Sequence, residues 1–354
     1  MSIWKKLTSN QIFIPIAAFV ILIIVNLIHD PSFFALSFGP NSDGNNVLTG
    51  NLMSILDSGS EVAILAIGMT LVTAASGGQD ISVGATMAIA GSVTLRMLCG
   101  SPDNPNYDVM QTPIIVAFLV AVLVSMLFGA FNGLLVSIFK IPPMVATLIL
   151  FTGGRSIASW INGGTLPQVN DPTFKIFGNY IPGIPLPTPF IIAMACVLVM
   201  FIFMKFTNIG LYVQAVGINS SSSRLNGLNP QYIKFITFVI LGICVAVAGF
   251  IKVSRIASIN YSVLAKDIEM DAILAVALGG NALGGGKFNM GASILGAYVI
   301  QFLTTTLYAF QVPATALPAY KAVVVIILVV MSAPAVREFF KRFKKKQTAA
   351  KEVA

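Results

Sequence analysis

Charge is scarce in this chain. Of its 354 residues 10% are charged and 56% hydrophobic, whereas soluble domains carry roughly 25% charged residues. With a mean hydropathy of +0.88, there is too little polar surface to cover a water-facing globule. Histidine occurs once, as His29 at the edge of an apolar stretch. No metal cluster and no nucleophile–base pair is visible, so no catalytic residue is expected. The three cysteines, Cys99, Cys196 and Cys244, lie in or beside apolar stretches, which implies no disulfide framework. The out/in alternation of barrel strands is missing as well, which argues against a membrane barrel.

What is present is a series of apolar runs of 17 residues or more, the length that crosses a hydrocarbon core of about 30 Å. Ten segments are expected, at about 12–28, 52–76, 81–98, 112–139, 143–161, 188–206, 232–253, 268–283, 289–310 and 318–335. The expected fold is an all-α integral membrane domain over residues 1–354 with about ten transmembrane helices. Its 30 glycines and 18 prolines suit closely packed, interrupted helices. The start, Lys5-Lys6 and then an apolar run to Ile28, resembles a signal sequence. No small-residue cleavage site precedes His29-Asp30-Pro31, so it is expected to remain as the first span.

An even span count puts both ends on one side. Placing them inside gives fourteen basic residues inside and seven outside, which favours cytoplasmic termini. Much of the net charge of +8 is the tail Arg337, Lys341, Arg342, Lys344, Lys345 and Lys346. Directly after an apolar span, such a tail fits anionic membrane headgroups better than nucleic acid.

Two stretches resemble each other. Ile64-Leu65-Ala66 precedes Gly77-Gly78-Gln79-Asp80-Ile81-Ser82-Val83-Gly84, and Ile273-Leu274-Ala275 precedes Gly285-Gly286-Lys287-Phe288-Asn289-Met290-Gly291. Paired Gly-interrupted segments are the mark of transporters built from repeated, inverted units. Asp80 and Asn289 are expected to cap the helices that follow. Glu269 and Asp271 open the eighth segment, where carboxylates complement the helix dipole. Arg155, late in the fifth segment, either snorkels outward or lines a polar path.

Gly279 to Lys287 superficially resembles a phosphate loop. Asn281 and Phe288 stand where that motif needs a glycine and a Ser or Thr, so no nucleotide is expected to bind there. The stretch 207–231 is the one substantial inward loop, with Asn219 placed to cap a short helix that ends near Gly227 and Pro230 placed to stop it.

This loop resembles the coupling loop of bacterial sugar ABC-transporter permeases of the ribose/xylose/galactose group: Gly217, Asn219, Ser221, Ser222 and Gly227 occupy its pattern. That group usually has alanines where Ser221 and Ser222 stand. Ala66-Ile67-Gly68-Met69-Thr70-Leu71-Val72 through Gly77–Gly84, and Glu269-Met270-Asp271-Ala272-Ile273 before Gly279-Gly280, match it too, though a hydrophobic residue is usual at Gln79. Val145–Leu150, Leu186-Pro187-Thr188-Pro189 and Lys321–Val325 are most similar to the galactofuranose-type permease. The resemblance implies a ten-helix inverted-repeat permease for a monosaccharide in the bacterial inner membrane. Its implied partners are an ABC ATPase subunit that binds ATP and Mg, a second permease copy or paralogue, and an extracytoplasmic sugar-binding protein. This chain itself would hold no cofactor. ATPase contact would fall on Gly217, Asn219, Ser221, Ser222, Arg224 and Gly227. Thr147, Phe151, Thr152 and Arg155 are the candidates for the sugar path. An ion-coupled transporter, or a permease for a nucleoside or branched-chain amino acid, is the alternative.

Overall fold

The structure, a computed structural model, describes residues 12–40 and 45–332. Among them the chain is helical almost throughout. In chain order the helices are α1 Phe13–His29, α2 Asn51–Ser76, α3 Val83–Cys99, α4 Ile114–Ser137, α5 Pro143–Ile161 and the short α6 Pro172–Lys175. They continue with α7 Thr188–Phe206, α8 Ile209–Ile218, α9 Ser220–Leu225, α10 Pro230–Ile256, α11 Ile268–Leu278, α12 Met290–Ala309 and α13 Leu317–Ser332. The only strands among the described residues form a hairpin before α2, β1 Ser37–Pro40 and β2 Asn46–Thr49, between the first two expected segments. The basic tail lies outside the described residues.

Six helices, α2, α4, α5, α7, α10 and α12, are long and apolar enough to cross a membrane. With the shorter apolar helices α1 and α3, they make this an all-α membrane protein. The eighth expected segment is corrected: α11 ends at Leu278 after 11 residues, about 16 Å at 1.5 Å per residue. That is half a crossing. Residues 279–289 after it are not helical.

The packing inverts the rule of soluble helices. Along α4 the buried positions are Ala117, Ala121, Ser125, Gly129, Asn132, Gly133, Val136 and Ser137, all but Val136 small or polar, the first four spaced by four. Its leucines Leu119, Leu123 and Leu127 face outward, each more than half exposed. Lipid is as apolar as leucine, so nothing drives leucine inward, whereas small side chains let backbones approach. A Cβ on Gly129 would stand 2.5 Å from the Phe238 carbonyl oxygen of α10, and one on Gly242 2.6 Å from that of Ser125. Helix α3 is buried along nearly its whole length, and α2 and α10 over most of theirs, with α4, α5 and α7 outside them.

Candidate functional site

Helix α2 stops because Gly77 turns left-handed (φ 69°), a conformation that favours glycine. The five residues that follow are secured from the side. Asp80 is buried and its Oδ1 accepts the Ser82 amide at 2.7 Å and the Ser82 hydroxyl at 2.6 Å. Asn132 of α4 donates Nδ2 to Asp80 Oδ2 at 3.1 Å and to Ser82 Oγ at 2.9 Å. The Ile81 amide donates to Thr147 Oγ1 at 3.2 Å, and Gly78 lies against Pro143. Asp80 therefore closes a turn ahead of α3, whose N-cap position is Ser82. The expected direct cap is corrected accordingly.

The second break, residues 279–289, carries its own support. Asn289 caps α12 as expected, its Oδ1 accepting from the Ala292 amide at 3.1 Å. Gly291 sits beside that cap under no tighter constraint. Asn281 closes the loop: its Oδ1 accepts the Asn289 amide at 2.6 Å and its Nδ2 reaches Ser293 Oγ at 2.7 Å.

These two breaks, some two hundred residues apart in sequence, touch. The Gly286 amide donates to the Ala74 carbonyl at 2.9 Å, and Gln79 donates Nε2 to the Leu283 carbonyl at 3.0 Å. A Cβ on Gly77 would lie 2.8 Å from the Gly284 oxygen, and one on Gly285 3.1 Å from that of Ala74. The third party is α8. A Cβ on Gly217 would overlap the Ala74 carbonyl oxygen and lie 2.6 Å from the Gly286 nitrogen. Three segments thus meet, backbone to backbone, at one joint.

From this joint α8 leads into α9. Asn219 caps α9 as expected, accepting the Ser222 amide at 2.9 Å, and Gly227, at φ 82°, lies just past its end. Pro230 does not stop a helix; it is the first residue of α10, capped by Asn229. The outward surface of this element is unpartnered within the chain. Ile218 is 64% and Leu225 90% exposed, and Ser221, Ser222 and Arg224 are exposed beside them.

The four path candidates on α5 do not converge. Thr147 is buried and serves the first break. Phe151 and Thr152 lie on the helix's exposed side, where the Thr152 hydroxyl bonds the Leu148 and Ile149 carbonyls of its own helix. Arg155 is half-buried and turned toward the protein: Nη1 donates to the carbonyls of Tyr261 at 2.6 Å and Leu264 at 2.8 Å. Those carbonyls belong to the link between α10 and α11, which folds back until Ala265 and Glu269 touch Gly84 near the start of α3. Non-helical backbone at this depth needs donors from protein, and Arg155 provides two.

At the end away from the joint, ion pairs tie α2 to α10 and α11 to α13. Glu61 is 1% exposed. Lys252 Nζ lies 2.9 Å from its Oε2 and Arg255 Nη1 2.7 Å from its Oε1, the latter an ion pair without hydrogen-bond alignment. Arg255 also donates Nη2 to Asp57 at 2.9 Å. Asp271 pairs with Lys321 at 2.9 Å rather than serving only the helix dipole. In the sequence Asn132 and Glu61 went unmarked, and Gln79 and Asn281 were marked only as departures from motifs; each is a polar residue inside an apolar run, the signal that could have found its role.

Helices broken by glycine, joined at one end and pinned by charge at the other, define a polytopic membrane protein of the transporter class. Residues 51–333 match the family described as branched-chain amino acid transport system / permease component, and the chain belongs to that family. It is 37% identical over 318 residues to the galactofuranose transporter permease of Escherichia coli, covering 90% of this chain and 88% of that one. The fructose import permease of Bifidobacterium longum is 34% identical over 348 residues, 97% of this chain and 93% of that one. The ribose import permease of Escherichia coli is 30% identical over 319 residues, 89% and 91%. No solved structure matches the chain significantly.

Proposed function

We propose that this chain is the membrane-spanning subunit of an ATP-driven monosaccharide importer of the bacterial inner membrane, with its termini and the α8–α9 element in the cytoplasm. The observation that carries this is the wedge of Gly217 into the joint of the two breaks, with exposed Ile218 and Leu225 beyond it. A partner that grips α8–α9 would move a segment in backbone contact with both broken helices. Such a part transmits rigid-body motion, because packed backbones have no slack to absorb it. The gripping partner is an ABC ATPase that holds ATP and Mg; this chain holds neither. A second permease copy or paralogue completes the path, and an extracytoplasmic binding protein delivers the sugar. On that arrangement the ten helices α1–α5, α7 and α10–α13 are the membrane elements, with α11 entering only halfway and the two breaks related as an inverted pair.

Galactofuranose, fructose and ribose, which name the relatives, all have five-membered ring forms, and a furanose-forming sugar is the cargo class this reading selects. Residues on the exposed side of α5, Phe151 and Thr152 among them, would face the path only across a second permease.

The test is purification of the tagged chain in mild detergent, identification of what accompanies it, and reconstitution of the complex. A stoichiometric ATPase with furanose-dependent, ATP-driven uptake is the expected result. Uptake driven by an ion gradient without ATP would overturn the reading in favour of an ion-coupled transporter.

A further inference from the structure

Beside the joint, the link from α4 to α5, the helix α9 and the start of α10 enclose a groove of about 680 Å³. Its lining includes Lys140, Arg224 and Lys234, with Ser137, Ser221 and Gln231, and no acidic side chain. Among the described residues none of the three cations has a carboxylate within ion-pair distance; all four ion pairs lie elsewhere. At the groove wall Ser137 is 4% exposed, yet its hydroxyl has no hydrogen-bond partner. A buried hydroxyl without a partner is costly, and three uncompensated cations around one concavity repel one another. Both are relieved by the same guest, an anion with several acceptor oxygens.

The chain neighbours of the lining residues say where that anion comes from. Ile138 and Phe139, directly before Lys140, are 54% and 68% exposed, and Met144, just past Pro142-Pro143, is 51% exposed. Bare apolar side chains next to lysines are the chemistry of a membrane–water boundary. Lys140 itself is held in a left-handed turn (φ 57°) between those apolar residues and the prolines.

We propose that this groove holds the phosphate headgroup of an anionic phospholipid, with Lys140 and Lys234 on the phosphate, Ser137 donating to it, and the acyl chains on the exposed apolar residues that flank Lys140 in the chain. The inference rests on the chain lying in a bilayer and not on the identity of its cargo.

The test embeds the full-length protein in nanodiscs of equal phosphatidylglycerol and phosphatidylcholine, then counts retained lipids by native mass spectrometry. Wild type is expected to retain phosphatidylglycerol preferentially. K140Q/K234Q should cut that retention by roughly tenfold or more, each cation at the surface being worth about fivefold. K140R/K234R, which keeps charge and fold, should restore it. Equal retention of phosphatidylcholine, or unchanged retention in K140Q/K234Q, would overturn the proposal. So would displacement of the lipid by millimolar inorganic phosphate, which would assign the groove to a soluble anion. Loss of the lipid when an ATPase binds would make it a protein-docking face instead. Because lipid is counted rather than sugar, failed uptake with intact lipid retention would count against the importer reading alone.

Discussion

The two ends of this helix bundle are closed by different means. At one end Glu61 is clasped by Lys252 and Arg255, and Asp271 by Lys321. At the other end, among the described residues, no ion pair joins the segments; Gly77, Gly217, Gly285 and Gly286 bring backbone against backbone, with single bonds from Gly286 to Ala74 and from Gln79 to Leu283. A charge clasp resists loss of either partner but accepts small shifts, because Coulomb attraction falls slowly with distance. A backbone joint makes little directional bonding yet tolerates no added atom. The first suits a latch that opens and recloses. The second suits a pivot that must keep its shape while its surroundings move.

The largest effect is expected at the latch. Glu61→Ala leaves Lys252 and Arg255, 28% and 19% exposed, with Asp57 as the remaining carboxylate on Arg255. Breaking a fully buried pair costs about 3–5 kcal/mol, which is the upper bound here. Thermal unfolding of the purified protein in detergent should show it, with Glu61→Asp far milder; equal losses from both would mean that geometry, not charge, closes this end. Next is Arg155→Met, which strands the Tyr261 and Leu264 carbonyls and should cost about 1–3 kcal/mol for each. A fully stable Arg155→Met variant would show that water or lipid headgroups reach that link.

At the pivot the expected pattern reverses. Gly217→Ala adds one carbon against Ala74 and Gly286, an overpacking worth about 1–3 kcal/mol, yet it should reduce ATP-driven uptake more than its stability loss explains. Comparing uptake with melting temperature across Gly217→Ala and Gly217→Val separates the two; parallel losses would reduce the joint to ordinary packing. Smaller is Asn289→Ala, which removes the α12 cap at about 1 kcal/mol and should shift melting while leaving coupling intact.

The smallest effect lies outside the membrane. The Thr173 hydroxyl and then its amide hold Asp171 below the usual carboxylate range. Its folded pKa is lowered, so its stabilisation is complete above the unfolded value of about 3.9 and is lost as pH falls through the lower folded value. Because the group is exposed, solvent screening limits the effect. Asp171→Asn should change the acid limb of a melting profile only slightly, and a large change would place Asp171 in a contact beyond α6.

Much of this fold was legible before any coordinates. Expected segments 143–161 and 188–206 coincide with α5 and α7, since apolar length between prolines is a local property. The Asn219 and Asn289 caps were readable for the same reason: a cap bonds an amide only a few residues away. The expected end of α11 came too late although its signal is local: Gly280, left-handed at φ 70°, follows the C-cap Gly279 as Gly77 follows α2, and the apolar run on to Leu283 masked it.

Composition and spacing alone determined the membrane environment, the helical class, the two glycine breaks and the short helix capped by Asn219, because each depends on short-range chemistry along the chain. Only the tertiary structure decided that the breaks meet at Gly217, that Arg155 serves the Tyr261 and Leu264 carbonyls, and that Glu61 closes the far end. Those outcomes depend on which backbones approach across hundreds of residues. In lipid that approach is set by the mutual fit of small side chains rather than by any one segment's hydrophobicity.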